Sequence, residues 1–226
     1  MQYSEDTIVR DVRVAFDENT EVSSFAGSDG STFDSDTLEM EDIIRSKICD
    51  AINTVRASAP LSLLAMTHIQ SGQEWPITWI DEENGIGELP LPGDCLRIAM
   101  FKMSDWAYGV TAAISPGSTL YSQQFSRWQG VRGNPSRPQI AVSSGIPTGG
   151  NVVQFFSCAS TGATASMSYI KRISGRPESG SYEIEEQIYR PVVLKTASLV
   201  AMTYGNSDMA GILGAMSGEL MGRTQS

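Results

Sequence analysis

The 226-residue chain contains one histidine, His68. Any serine–histidine–acid or cysteine–histidine site would have to run through that imidazole, which stands in the apolar stretch LLAMTHIQS, where a hydrogen-bonded structural role is the ordinary reading. Cysteine is also scarce: Cys49, Cys95 and Cys158 are an odd number, share no metal-type spacing and lie in apolar segments, as reduced thiols acting as small hydrophobes do. No G-x-S-x-G elbow and no G-x-x-x-x-G-K-[ST] phosphate loop occurs, and Gly85-Ile86-Gly87 lacks the third glycine and following helix of a dinucleotide site. Ser168-Tyr169-Ile170-Lys171 matches S-x-x-K without the companion motifs that give it meaning. Asp29, Asp34 and Asp36 are out of order for a calcium loop. The acidic runs Asp81-Glu82-Glu83 and Glu183-Glu185-Glu186 stand in polar, turn-like surroundings that read as solvated faces. These absences lead to the expectation of a protein that is not an enzyme and holds no cofactor or metal.

Long hydrophobic runs are missing as well. The longest apolar stretch near the C-terminus, Pro191 to Gly205, contains Lys195 and falls short of the roughly 20 residues a membrane span requires. The opening MQYSEDTIVRDVR carries three acids before any apolar run, the wrong pattern for a secretory signal. The expectation is synthesis in a cytoplasm and no membrane partner.

Charge is present but unevenly placed. Residues 1–50 hold 13 acids against four bases, a balance of −9 in a chain whose net charge is −10. Between Asp105 and Glu178 there is no acid, yet Arg127, Arg132, Arg137, Lys171, Arg172 and Arg176 fall there. An acidic start and a basic middle in one molecule suit either two solvated faces or head-to-tail contact between copies. The overall acidity argues against a protein that grips phosphate tightly.

The pattern of elements predicts an α+β fold: an N-terminal arm and helix, a central antiparallel β-domain and a C-terminal helical hairpin. Residues 1–36, polar with a short apolar alternation at Ile8, Val9, Val12 and Val14, read as an acidic arm and loop. Residues 37–226 read as a single domain. Its helix at 37–57 carries Ile44, Ile48, Ala51, Ile52 and Val55 on one face, with Asp36 and Glu39 as a capping pair and Pro60 as the stop. A β-domain at about 75–175 contains the strand-like runs 77–80, 96–103, 139–142, 152–158 and 166–173, with VQFFSC central and buried on both faces. A helical hairpin at about 188–222 follows, with Pro191 in its first turn and Gly211, Gly214 and Gly218 giving the second helix a thin side.

Contact chemistry is what remains. Residues 119–139, TLYSQQFSRWQGVRGNPSRPQ, interleave Tyr121, Phe125 and Trp128 with Arg127, Arg132 and Arg137. Aromatics and arginine dominate protein interfaces, and the same residue types stack on single-stranded nucleic acid. With Asn134, these seven are the candidate interface residues.

LPLPGDCLRIAMFKMSDW (residues 89–106) followed by LYSQQFSRWQGVRGNPSRPQIAV resembles the centre of neck proteins of crAss-like bacteriophages. In that family a Leu-Pro-x-Asp-x-Leu-Arg opening, a Lys-Met-Ser-Asp-Trp strand end and an Arg-Gly-Asn-Pro segment occur together. The motifs cover about residues 89–142, and Gly93-Asp94-Cys95 departs from the family's Asp-Asp-Phe. Elsewhere only the element order is similar to head-to-tail adaptors of short-tailed phages. The resemblance implies a structural virion protein, made in a host bacterial cytoplasm. It would form a ring of about twelve copies below the portal, contacting portal, neck and tail proteins and passing double-stranded DNA without reading its sequence. The alternative is a small module that binds single-stranded nucleic acid or a regulatory protein.

Overall fold

The structure, a computed structural model, describes residues 1–19, 35–128, 130–144 and 150–223. In chain order its elements are β1 (Gln2–Ser4), α1 (Glu5–Asn19), α2 (Ser35–Ser58), β2 (Thr67–Gln70), β3 (Thr78–Asp81), β4 (Ile86–Pro90), β5 (Cys95–Met103), α3 (Thr119–Gln123), β6 (Gln139–Ser144), β7 (Asn151–Phe156), β8 (Ala165–Lys171), β9 (Ser181–Glu183), α4 (Glu186–Thr203) and α5 (Ser207–Arg223). The α+β class holds, and all strand pairings are antiparallel among the described residues. The single domain expected over 37–226 is instead divided. Met1–Ala65 with Ile173–Ser226 forms one compact unit, and Met66–Arg172 forms another.

The acidic arm expected over 1–36 is, over residues 1–19, a strand and a buried helix. β1 pairs with β9 through Gln2↔Glu183, Tyr3↔Tyr182 and Ser4↔Ser181. Ile8, Val9, Val12 and Ala15 are buried, a helical stripe whose few apolar residues in a polar context look like strand alternation. The loop at 25–36, its aspartates and the Asp36–Glu39 capping pair fall outside the described side chains. α2 ends at Ser58, ahead of Pro60, and buries Ile44, Ile48, Ala51, Ile52 and Val55 as its spacing requires.

α4 lies against α1, α2 and α5, which explains why its sequence is apolar nearly all round: Ile188, Val192, Val193, Leu194, Ala197, Val200 and Ala201 are all buried. Among the described residues no helix is long and apolar enough to cross a membrane. Pro191 stands inside α4, not in its first turn, because the helix begins earlier, at Glu186. Its carbonyl accepts a hydrogen bond from Ser217 Oγ at 2.8 Å, and Ser198 Oγ donates to the Ala210 carbonyl at 2.8 Å. These two buried serines fix α5 on α4. Of the glycines on the expected thin side, only Gly214 approaches α4, where a Cβ would meet Ser198 Oγ at 3.3 Å; at Gly211 and Gly218 the space is open.

Several charges of the helical unit are paired within the chain. Glu5, only 4 % exposed, faces Arg45 Nε at 3.6 Å, is paired with Arg176, and accepts from Tyr182 Oη at 3.4 Å. Arg56 is buried and donates to Glu185 Oε2 at 3.0 Å and to the Glu183 carbonyl at 2.8 Å. An acid of the N-terminal segment and an arginine of the basic middle are therefore partners inside one molecule.

The second unit is a β-sandwich. One sheet has the order β2-β8-β5 and the other β3-β4-β7-β6. Phe101, Met103, Ala165 and Met167 from the first sheet share a core with Leu89, Ile140, Val153 and Phe155 from the second. Phe101 stacks on Phe155 with centroids 6.3 Å apart, while Trp75 and Trp106 meet Phe101 edge-on. β7 is central, between β4 and β6, as its continuous apolar run requires. Val153 and Phe155 fill the sandwich, and Phe156 on the opposite face packs under Tyr121. β2 and β4 are strands the sequence pattern does not show.

The central motif 89–106 frames this core. Trp75 Nε1 donates to the Pro90 carbonyl at 2.6 Å, Tyr169 Oη donates to Asp94 Oδ1 at 3.1 Å, and Trp106 is buried at the far end. At the turn joining β3 and β4, Gly85 has φ +64°, and a Cβ there would lie 1.9 Å from the Cys158 carbonyl. No side chain fits at that point.

Candidate functional site

The segment from Ser118 to Pro138 lies on the outer face of β6 and β7 and is built to hold still. Ser118 caps α3, its Oγ accepting from the Tyr121 amide at 3.2 Å. Tyr121 Oη donates to Gln154 Oε1 on β7 at 2.8 Å, and the rings of Tyr121, Phe125 and Phe156 meet edge-to-face with centroids 5.3–5.9 Å apart. Gln124 is buried; its Nε2 donates to the Leu120 carbonyl at 2.8 Å and its Oε1 accepts from the Gly133 amide at 2.7 Å, tying the two arms of the segment together. Asn134 Oδ1 accepts from the Ser136 and Arg137 amides at 2.9 and 3.1 Å and closes a tight turn.

What this scaffold presents outward is apolar and cationic. Phe125 is 49 % exposed and Trp128 65 %, with Leu120 and Val131 beside them in the chain and also exposed. The Arg127 guanidinium stands 5.2 Å over the Trp128 ring, a cation–π contact, and Arg137 is exposed. Among the described residues no carboxylate is within ion-pair reach of Arg127 or Arg137.

The seven candidates thus separate. Phe125, Arg127, Trp128 and Arg137 face outward. Tyr121 and Asn134 are half-buried supports. Arg132 is 8 % exposed, and its charge helps hold the Asp81 carboxyl below the usual range after the larger effects of the Asn84 amide side chain and backbone N–H. Sequence reasoning missed Gln124, whose polar type gives no hint of its burial, and it missed the exposed apolar residues Leu120 and Val131.

The other chemical groups are arranged differently. His68 Nδ1 is 2.8 Å from Ser168 Oγ, directly across the β2–β8 ladder, but Ser168 is buried and among the described residues no carboxylate is hydrogen-bonded to the ring. Cys158 Sγ donates to Asp105 at 3.1 Å, and burial together with that carboxylate pushes the thiol up to about 12. Burial, then the charge of Asp94, lifts Cys95 to about 11. Thiols this high are protonated at neutral pH and poor nucleophiles.

No protein-family model matches the chain, and a search of curated proteins finds no match.

Proposed function

We propose that this chain is a structural assembly subunit: a protein that forms a ring at the head-to-tail junction of a phage virion, below the portal and around the exiting DNA. The observation that carries the reading is the Phe125, Arg127, Trp128 and Arg137 surface, exposed on a segment held by hydrogen bonds of Tyr121, Gln124 and Asn134. Rigid aromatic and arginine side chains lose little entropy on docking and supply most of an interface's binding energy. The phage assignment is supported by the motif resemblance over residues 89–142, and a net charge of −10 suits a protein past which DNA slides without being gripped. Electron microscopy of the full chain, alone and mixed with the portal of the same phage, tests it. A closed ring is expected in at least one preparation. A chain that stays monomeric in both overturns the reading.

A second reading has one observation in its favour, the guanidinium stacked on an exposed tryptophan, which also suits single-stranded nucleic acid. Salt-dependent binding of an oligonucleotide that is lost in Trp128→Ala would support it, and the absence of binding at low salt would remove it.

A further inference from the structure

The surface on residues 119–137 joins exposed apolar side chains to Arg127 and Arg137, and the occupant that suits it supplies the converse, apolar side chains set among acids. The chain itself contains such a stretch. Between Arg13 and Arg45 there is no base and there are nine acids, the counterpart of the acid-free stretch that holds 119–137. Of the acids near it, Glu5, Asp6, Asp11, Glu41 and Asp42 have partners in their own unit: Arg176, Arg45, Tyr189, Arg13 and again Arg45. Residues 20–34, TEVSSFAGSDGSTFD, lie outside the described residues and carry Glu21, Asp29 and Asp34 together with Phe25 and Phe33.

The flanking helices fix where this stretch starts and ends. Arg13, near the end of α1, meets Glu41, near the start of α2, at 3.1 Å, whereas Glu5 and Asp6 at the other end of α1 meet Arg45, further along α2. The two helices run antiparallel there, so residues 20–34 leave and return at one end of the pair. A chain of that length spans at most about 50 Å when extended, and anchored at both ends it can project roughly half that distance. That is enough to cross from one subunit to its neighbour.

The 119–137 surface against its own copy would set arginine on arginine, which disfavours a two-fold contact. Against the acidic stretch of another copy it gains opposite charges and aromatic partners together. We propose that copies of this chain associate head-to-tail, residues 20–34 of one subunit seated on the 119–137 surface of the next. Phe25 and Phe33 pack on Phe125 and Trp128, and Glu21, Asp29 and Asp34 pair with Arg127 and Arg137. Each copy then gives one segment and receives another, the heterologous contact that closes a ring. This inference rests on the assembly reading and names the occupant of its surface.

The experiment uses two full-length variants, one carrying Arg127→Asp and Arg137→Asp, the other Glu21→Lys, Asp29→Lys and Asp34→Lys. Sedimentation velocity follows association, with portal added if the wild type requires it, and circular dichroism confirms that each variant is folded. Each variant alone is expected to associate at least about tenfold more weakly than the wild type, a change of about 1.4 kcal/mol. Mixed in equal amounts, the two alternate, every contact again joins opposite charges, and assembly returns. Should the triple reversal fail to fold, Phe25→Ala with Phe33→Ala reads the same contact and is expected to weaken association by a similar factor. If the acid-reversed chain associates like the wild type, the surface takes another occupant, an acidic partner protein or a nucleic acid, and the inference is overturned. Assembly of the wild type with no recovery in the mixture also overturns it. Both outcomes leave the assembly reading standing. A wild type that stays monomeric alone and with portal overturns both.

Discussion

The two units of this protein treat arginine in opposite ways. In the helical unit Arg45, Arg56 and Arg176 are locked to carboxylates, with Glu5 and Glu185 drawn out of water to meet them. In the β unit Arg127 stands over the exposed Trp128 ring and Arg137 is exposed, both on an acid-free stretch of chain. The same side chain stabilises the fold in one place and is left available in the other. What decides the difference is whether the fold brings a carboxylate within reach.

The comparison can be broken from either side. The largest effect on folding is expected from Arg56→Ala, which strands the largely buried Glu185 and Glu183 carbonyl and costs about 3 kcal/mol in a chemical denaturation curve. Assembly by the fraction that remains folded should be unaffected. Trp128→Ala is the converse: stability within about 0.5 kcal/mol of wild type, as for most surface substitutions, and association weakened by about 2 kcal/mol, as for an interface anchor. A Trp128→Ala variant that melts early would place that ring in the folding core and dissolve the distinction.

Smaller effects sharpen the picture of the β unit as a rigid support. Asp105→Asn removes the anionic acceptor of the Cys158 thiol and the Ala159 amide and is expected to cost about 1–2 kcal/mol. Alkylation of Cys158 should then begin at a lower pH than in the wild type. The smallest effect concerns Tyr169, whose hydroxyl is pushed up to about 12 by burial and by its bond to Asp94. Because the folded value is raised above the ordinary 10, this group's contribution is complete below pH 10 and is lost as the pH rises toward 12. The alkaline fall in stability should be shallower in Tyr169→Phe.

The sequence made the second helix and the strands at β5, β7 and β8 legible because each carries enough apolar residues at one period to overrule its neighbours. α1 was not legible: Ile8, Val9, Val12 and Ala15 are a thin stripe among charges, and the helix is held by α4, some 180 residues away in the chain. β2, with only Ile69 as a large apolar residue, and β4, ending in Pro90, take their strand geometry from β8 and β7. At the candidate surface, composition identified the segment but not the division of labour within it. That Arg132 is buried while Arg127 is exposed depends on how distant parts of the chain fold around each, which no local pattern encodes. Gln124 presents the same difficulty.

Hydrogen exchange on the full-length chain, compared between dilute monomer and the assembled state, tests the central claim most directly. Slowed exchange concentrated in residues 119–137 is the expected result. An assembled state in which that segment exchanges as fast as in the monomer would contradict the account.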